Sequence, residues 1–415
     1  MFRSWFLLKK LPLVVLLAVF VSACLDGRPG AVQSQTRSGP QGHGSRRLST
    51  VDTPNDPEPG SPQMCSQPAS DAGWSNLAEA PVGWCVPRRL DRRGVRFSFA
   101  VISDTHSYHA CRTEQGPRLR DALAVINAHR PDFVLGLGDL IAGGGDCRKW
   151  SGPKKAPAHD QLIELRRVLL EELEVPFVPV SGNHDLTPAD SMDPEEPTRA
   201  WTKFWRTHRR YLLPVVRNAD ASESFRFTYK GVGFSLISAY GTVGLKAAEM
   251  RWIRKNVQAG DLVFRHVNPF GISCGNGGDC GCAVGHQKLR HPERLVKLLK
   301  QKRVSTLFSG HTHAFYDGVC NGLPFVNTGS LGDRSMEWIN GWDLSPYRKK
   351  QAFVWVDVMR TGKIRITFQV WNDSGGCFRP FDPSHFPAVI KTRPRPRFGQ
   401  YEGITATCHA RRTRS

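Results

Sequence analysis

The 415-residue chain predicts an α/β layered domain over residues 73–375. Three observations carry that expectation. Short apolar runs at 97–102, 133–137, 176–180, 262–264 and 304–308 are too brief for helices and read as buried strands. Between them lie stretches with helical spacing, so strands and helices alternate as a layered α/β architecture requires. Polar blocks stand at or just beyond the ends of the runs, which is where ligands bind in such sheets.

The chain opens on residues 1–23, where Arg3, Lys9 and Lys10 precede the apolar run 11–21. This is the pattern of an export signal, and the run is too short for a comfortable membrane span. It ends in Val21-Ser22-Ala23-Cys24, which resembles a bacterial lipobox. That resemblance implies a lipoprotein signal peptide, cleavage before Cys24 and a lipid on its thiol. Residues 24–72 are rich in Gly, Pro, Ser, Gln and Asp with hardly an aromatic, and are expected to form a flexible tether. Trp74, Trp84 and Cys85 mark residues 73–94 as a segment that packs onto the domain.

The folded unit is expected to begin near Val95. Strand 97–102 delivers Ser103-Asp104-Thr105-His106. Leu119, Leu123 and Ile126 share one face of a helix that Arg130-Pro131-Asp132 stops. Strand 133–137 delivers Asp139, and Gly143-Gly144-Gly145 reads as a mobile loop before a helix at 161–173. Without a P-loop pattern those glycines are not assigned a phosphate. Strand 176–180 delivers Asn183 and His184. A helix at 201–213 carries Trp201, Phe204 and Trp205 at core-facing spacing.

Residues 225–229 and 234–239 form a hairpin around Gly231-Val232-Gly233. A helix follows at 246–257, then strand 262–264 with His266 just beyond. The Gly- and Cys-rich insert 271–286 begins close behind it and is placed to wall the site. Helix 292–300 leads into strand 304–308 and then Gly310-His311-Thr312-His313. Residues 325–330 read as a strand turning at Gly329, and 352–358 with 363–370 as a closing hairpin through Thr361-Gly362. Residues 376–415 read as a basic, Pro/Arg-rich C-terminal extension.

Lysine and arginine number 57 against 37 acidic residues, a formal net charge of +20. Much of the excess lies outside the motif-bearing stretch, in Arg46-Arg47, Arg88-Arg89, Arg92-Arg93 and the tail beyond 390. That placement favours solvated flanks, and no aromatic-interleaved basic platform supports specific nucleic-acid binding. Setting Cys24 aside leaves an even number of the eleven cysteines. In an exported chain that favours disulfides, with the pairing open. Cys274, Cys280 and Cys282 match no common zinc-ribbon spacing. The expected location is the cell envelope, with the protein exported and anchored to a membrane through lipid on Cys24.

Asp104, His106, Asp139, Asn183, His266, His311 and His313 are nitrogen and oxygen donors that suit Mn, Fe or Zn. Two divalent metal ions about 3.5–4 Å apart can clamp a phosphate and hold the water that attacks it. Such a pair needs one shared oxygen ligand, and Asp139 is the candidate. Any one histidine alone reads as a structural side chain, and the ordered set carries the signal.

The series Asp104-x-His106, Gly138-Asp139, Gly182-Asn183-His184-Asp185, His266 and Gly310-His311-x-His313 resembles the calcineurin-like metallophosphoesterase superfamily in that family's order. The resemblance covers roughly residues 95–330. It implies a layered β-sandwich flanked by helices, with a binuclear metal site at the strand C-terminal ends. It also implies one metal held by Asp104, His106, Asp139 and His313, and a second by Asp139, Asn183, His266 and His311. A hydroxide bridging the two would attack phosphorus. His184 would act as the catalytic residue, hydrogen-bonding the transition state or assisting the leaving oxygen. Asp185 stays outside the catalytic set.

Departures from known subgroups narrow the expectation. The purple acid phosphatases place a tyrosine three residues after the bridging aspartate and use D-x-G first, whereas Ala142 and His106 stand here. The protein serine/threonine phosphatases use G-D-x-V-D-R-G, whereas Ala142 and Gly143 replace the aspartate and arginine. The expected activity is hydrolysis of a phosphate-ester substrate, with a phosphodiester favoured over a monoester. A non-catalytic surface binding protein that keeps the metal site is the alternative. His109 and His286 read as structural, and 327–332 as a turn that closes near the site without a catalytic part.

Overall fold

The computed structural model describes residues 92–106, 116–142, 158–186, 195–238, 245–270, 272–274, 292–332, 338–339, 350–372, 376–392, 395–397, 400–402 and 406–411. The chain divides into Met1–Gly73 and Trp74–Ser415, and every described residue lies in the second unit. The expected signal peptide, Cys24 and the tether therefore lie outside the described residues. So do His109, Gly143 to Gly145, His286 and most of the Cys-rich insert. Among the described residues no helix is long and apolar enough to cross a membrane.

Strands are numbered along the chain. The first sheet is built on β1 (Val95–Ile102), β2 (Phe133–Leu137) and β3 (Phe177–Val180), which pair in parallel. Their residues from Phe97 onward are buried without alternation, as strands covered on both faces must be. The 14-residue helix α1 (Gly116–His129) makes the crossover from β1 to β2 and buries Leu119, Ala122, Leu123 and Ile126. The second sheet contains β4 (Phe225–Tyr229), β5 (Val232–Ile237), β6 (Leu262–Arg265), β8 (Thr306–Ser309), β9 (Phe315–Cys320) and β10 (Leu323–Thr328). Here β5, β6, β8 and β10 are parallel neighbours. A two-residue ladder joins β7 (Ser273–Cys274) to β11 (Trp338–Ile339).

The closing hairpin, β12 (Ala352–Met359) and β13 (Ile364–Asn372), adds antiparallel to the free edge of β1. Beyond it the expected C-terminal extension contributes strands to both sheets. β14 (Cys377–Pro380) extends the first sheet past β13. β15 (Val389–Thr392) and β18 (Ala406–Ala410) extend the second past β9, while β16 (Arg395–Arg397) and β17 (Gln400–Glu402) form a ladder of their own. The finished orders are β14-β13-β12-β1-β2-β3 and β15-β18-β9-β10-β8-β6-β5-β4. Apolar Phe378, Phe381, Phe386, Ile390 and Cys408 are buried among the basic residues, which is why this stretch packs.

Aromatic rings join the sheets. Phe99 and Phe133 of the first sheet meet Phe234 of the second at 5.4 and 5.6 Å between centroids, and Phe99 also meets Phe264 of the second at 6.1 Å. Such pairs add roughly 0.5–1.5 kcal/mol each beyond their buried area. The layered sandwich is thus closed by side chains from inner faces of both sheets.

The remaining helices cover the outside. α2 (Ala158–Leu165) runs into a π-helical turn at Arg166–Leu170, and α3 (Asn183–Leu186) is a single turn. α4 (Glu196–Thr207) buries Trp201, Phe204 and Trp205, with Trp205 stacked on Phe177, so the aromatic stripe is core. α5 (Ala247–Asn256) and α6 (Pro292–Lys302) lead into β6 and β8.

Candidate metal centre

Five strand ends meet at one rim of the sandwich. From the first sheet, β1 delivers Asp104 and His106, β2 delivers Asp139, and β3 delivers Asn183 and His184. From the second, β6 delivers His266 and β8 delivers His311 and His313. Three groups of side chains place their ligand atoms within 4.8 Å of one another: Asp104, His106 and His313; His106, Asp139 and His184; Asp139, His266 and His311. Asp139 stands in two of the three.

The backbone at these positions is forced. Asp104, His106, Asp139, His311 and His313 all hold left-handed φ angles between 44° and 70°. Side chains rarely adopt that region, and each instance costs on the order of 1–3 kcal/mol. The left-handed turns bend the chain just past the strand, so that residues two apart return to the same rim. Cross-links hold them: Asp104 N–H to Gly138 O at 3.0 Å, His106 N–H to Asp139 O at 3.0 Å, and Gly310 N–H to His266 O at 3.0 Å. Two glycines permit the close approach. A Cβ on Gly182 would lie 2.2 Å from Asp139 Oδ1, and one on Gly310 would lie 2.1 Å from Ser103 Oγ.

Each side chain is aimed by a partner. Ser103 Oγ donates to Asp104 Oδ2 at 2.6 Å, and the His311 N–H adds a bond at 3.0 Å. The His184 N–H donates to Asp139 Oδ1 at 2.7 Å, which leaves Oδ2 for the centre. His266 Nδ1 faces the Leu137 carbonyl at 2.7 Å, and His184 Nδ1 faces the Ala142 carbonyl at 2.7 Å. A carbonyl can only accept, so both rings carry a proton on Nδ1 and turn Nε2 toward the site. Asp185 is fully buried and accepts from the N–H groups of Leu140, Ile141 and Gly182, tying the β2 and β3 loops together.

Burial favours the neutral form of Asp104, but His266 and His313 outweigh it and hold the carboxyl at about 2. Asp139 is likewise held well below the usual range against its burial, chiefly by His266 and His184. Burial would lower His266, yet Asp139 and Asp104 raise it to about 9. His311 is pushed down to about 4 by burial and by His266, and His106 goes well down through burial and His184. Burial and Asp139 raise Asp185 to about 7 against its backbone donors. Ionised Asp104 and Asp139 beside neutral His106 and His311 are ligand forms a metal needs, whereas His266 holds a proton that a metal must displace.

The residues fit divalent cations on their own evidence. Asn183 Oδ1 is buried with no hydrogen-bond partner among the described residues. His266 Nε2 also lacks an aligned hydrogen bond, although it lies 3.0 Å from Asp139 Oδ2. The two groups are close enough to attract as an ion pair but not aligned as a hydrogen bond. His106 Nε2 and His313 Nε2 face each other at 3.2 Å, with Asp104 Oδ1 3.3 Å from His313. Buried lone pairs left facing one another are costly unless a cation or proton sits between them.

Sequence reasoning did not single out Ser103, Ser330, Asn327 or Asn268. Ser330 Oγ and the Gly332 N–H both hold the Asp104 carbonyl, at 2.9 and 3.0 Å. The signal for Ser330 was present in the turn 327–332, but spacing alone gives a turn no partner.

The calcineurin-like phosphoesterase family model matches residues 97–315, more than half of the chain. A probable cyclic nucleotide phosphodiesterase of Rhodopseudomonas palustris is similar, at 26% identity over 235 residues, covering 55% of this chain and 75% of that protein. Among solved structures, the chain is similar to a dimetal phosphatase from Danio rerio at 14% identity and a TM-score of 0.43, over 66% of this chain and 96% of that one. It is also similar to an archaeal phosphodiesterase at 12% identity and a TM-score of 0.32, over 65% of this chain and 99% of that one. The match to the family model, which begins in β1 and ends at the start of β9, contains every residue gathered at the rim; the chain belongs to the calcineurin-like phosphoesterase family and is a hydrolase of that family.

Proposed function

We propose that the protein hydrolyses a phosphodiester at a binuclear divalent metal centre. The observation that carries this reading is the convergence of Asp104, Asp139 and four histidines at one rim, with Asn183 Oδ1 and His266 Nε2 buried and unaligned. Asp104, His106, Asp139 and His313 would hold one cation, and Asp139, Asn183, His266 and His311 the other. When bound, the cations supply Lewis-acid stabilisation of charge on the phosphoryl oxygens and a water activated for attack.

His184 is the catalytic side chain in this reading. Its Nδ1 proton is fixed on the Ala142 carbonyl, and its Nε2 stands 3.9 Å from Asp139 Oδ2, at the edge of the cluster it shares with His106 and Asp139. From there it reaches a non-bridging oxygen or the leaving oxygen of the substrate. The choice of a diester is supported by the relative named a probable cyclic nucleotide phosphodiesterase. Export is supported by the buried disulfide between Cys320 and Cys408, since such bonds persist in oxidising compartments. Cleavage before Cys24 and a lipid there would then anchor the enzyme in the cell envelope.

Hydrolysis of bis-p-nitrophenyl phosphate and p-nitrophenyl phosphate by the manganese-loaded chain, run side by side, tests the proposal. Faster turnover of the diester is expected. Monoester preference would reassign the protein as a phosphomonoesterase of the same fold. Silence on both with metal bound would support a binding protein that keeps the site.

A further inference from the structure

A chain of two buried amides runs between the loop carrying His266 and the loop carrying His311 and His313. Asn268, two residues beyond His266, accepts from the Phe270 N–H at 2.6 Å and donates through Nδ2 to Asn327 Oδ1 at 3.1 Å. Asn327, in β10, uses both of its donor hydrogens on the other loop. One goes to Thr312 Oγ1 at 2.8 Å and one to the Ala314 carbonyl. Asn327 is fully buried and Asn268 nearly so.

The direction of this relay is fixed at both ends. The Phe270 N–H can only donate, so Asn268 must turn its oxygen there. The Ala314 carbonyl can only accept, so Asn327 must turn its nitrogen there. With both ends set, the middle contact pairs an N–H with an oxygen, and flipping either amide would break two bonds. The relay therefore has one arrangement.

What it grips is a loop with two left-handed residues. Thr312 sits between His311 and His313, whose φ angles are 70° and 53°. Conformations of that kind persist only where the surroundings impose them. Inside the loop the main-chain ties are the short Thr312 N–H to Gly310 O bond at 2.8 Å and the Gly310 N–H to His266 O bond. Asn327 adds a side-chain clamp directly on the residue between the two imidazoles and on the residue that follows them.

From this we infer that Asn327, with Asn268 behind it, is a positioning residue. It holds the His311–Thr312–His313 turn in its left-handed form and couples that turn to the His266 loop, so that three imidazoles from two loops converge together. The inference rests on the metal-centre reading above. Partners that orient ligands from behind typically contribute 10- to 100-fold in metal affinity.

Manganese binding to the full-length chain, measured by calorimetry beside thermal unfolding of the metal-free protein, tests it. Thr312→Val removes the acceptor with little change of shape, Thr312→Ser keeps it, and Asn327→Ala removes both donors. The expected result is affinity lowered about 10- to 100-fold in Thr312→Val and Asn327→Ala, with wild-type affinity in Thr312→Ser. Metal-free Thr312→Val should unfold within a few degrees of the wild-type temperature, the cost of one orphaned donor. Should Asn327→Ala fail to fold, the Thr312 pair decides the matter alone. Wild-type affinity in Thr312→Val overturns the relay. So does equal loss in both Thr312 variants, or a fall in metal-free unfolding temperature larger than one orphaned donor explains. A wild-type chain that binds no manganese overturns the metal-centre reading, and the relay falls with it.

Discussion

His266 sets the proton balance of the centre. It is fully buried, its Nδ1 is committed to the Leu137 carbonyl, and Asp139 with Asp104 holds its proton up to about 9. A metal can take Nε2 only when that proton leaves. Manganese affinity should therefore rise about tenfold per pH unit below roughly pH 9 and level off above it, as titrations in the metal-free protein would show. His311, already neutral above about 4, adds nothing to that slope at neutral pH. His184 makes a different prediction. Its substitution by asparagine should lower kcat by on the order of 10²-fold or more while metal content stays at the wild-type value. Loss of metal in that variant would make His184 a ligand instead. The identity of these side chains was legible from their order along the chain. Their ring orientation was not, because it depends on carbonyls of Leu137 and Ala142 that no local spacing reveals.

At the scale of elements, the centre is a set of strand ends brought within reach by glycine. Gly182 leaves no room for a side chain against Asp139, whose Oδ1 and backbone N lie 2.2 and 2.3 Å from where a Cβ would stand. Gly182→Ala should destabilise the fold by about 1–3 kcal/mol and lower metal occupancy together. Thermal unfolding with metal analysis checks this, and full occupancy at wild-type stability would contradict it. The strands that carry ligands were legible because they are continuous apolar runs ending in polar blocks, as in 133–139. β9 was not. Its sequence Phe315 to Cys320 mixes Tyr316, Asp317 and Gly318, and its pattern makes sense only once Arg411, just past the end of β18, is seen to pair with Asp317 at 2.5 Å. The C-terminal strands escaped notice for the same reason. Their apolar residues are sparse among arginine and proline, and their partners lie far away in sequence.

Across the whole molecule, the C-terminal segment completes both sheets and is locked to the second. Cys320 in β9 and Cys408 in β18 stand opposite in register and are joined, across a separation of 88 residues. Cys377 is also in a disulfide. Closing a loop of that length constrains the unfolded chain by about 4–5 kcal/mol in the chain-entropy model. The double variant Cys320→Ala with Cys408→Ala should lose roughly 2–5 kcal/mol in denaturant unfolding, and an unchanged midpoint would show that the bond holds nothing. The layered α/β class was legible from the alternation of strand, polar end and helix. The pairing of one disulfide among ten cysteines was not, since spacing does not report which strands become neighbours.

The central claim is a binuclear centre built around Asp139. The most direct measurement is metal content per chain, taken together with hydrolysis of bis-p-nitrophenyl phosphate, in the wild type and in Asp139→Asn. Two equivalents of manganese with turnover are predicted for the wild type, and loss of at least one equivalent together with the turnover for Asp139→Asn. An Asp139→Asn protein that keeps two metals and wild-type hydrolysis would contradict the account.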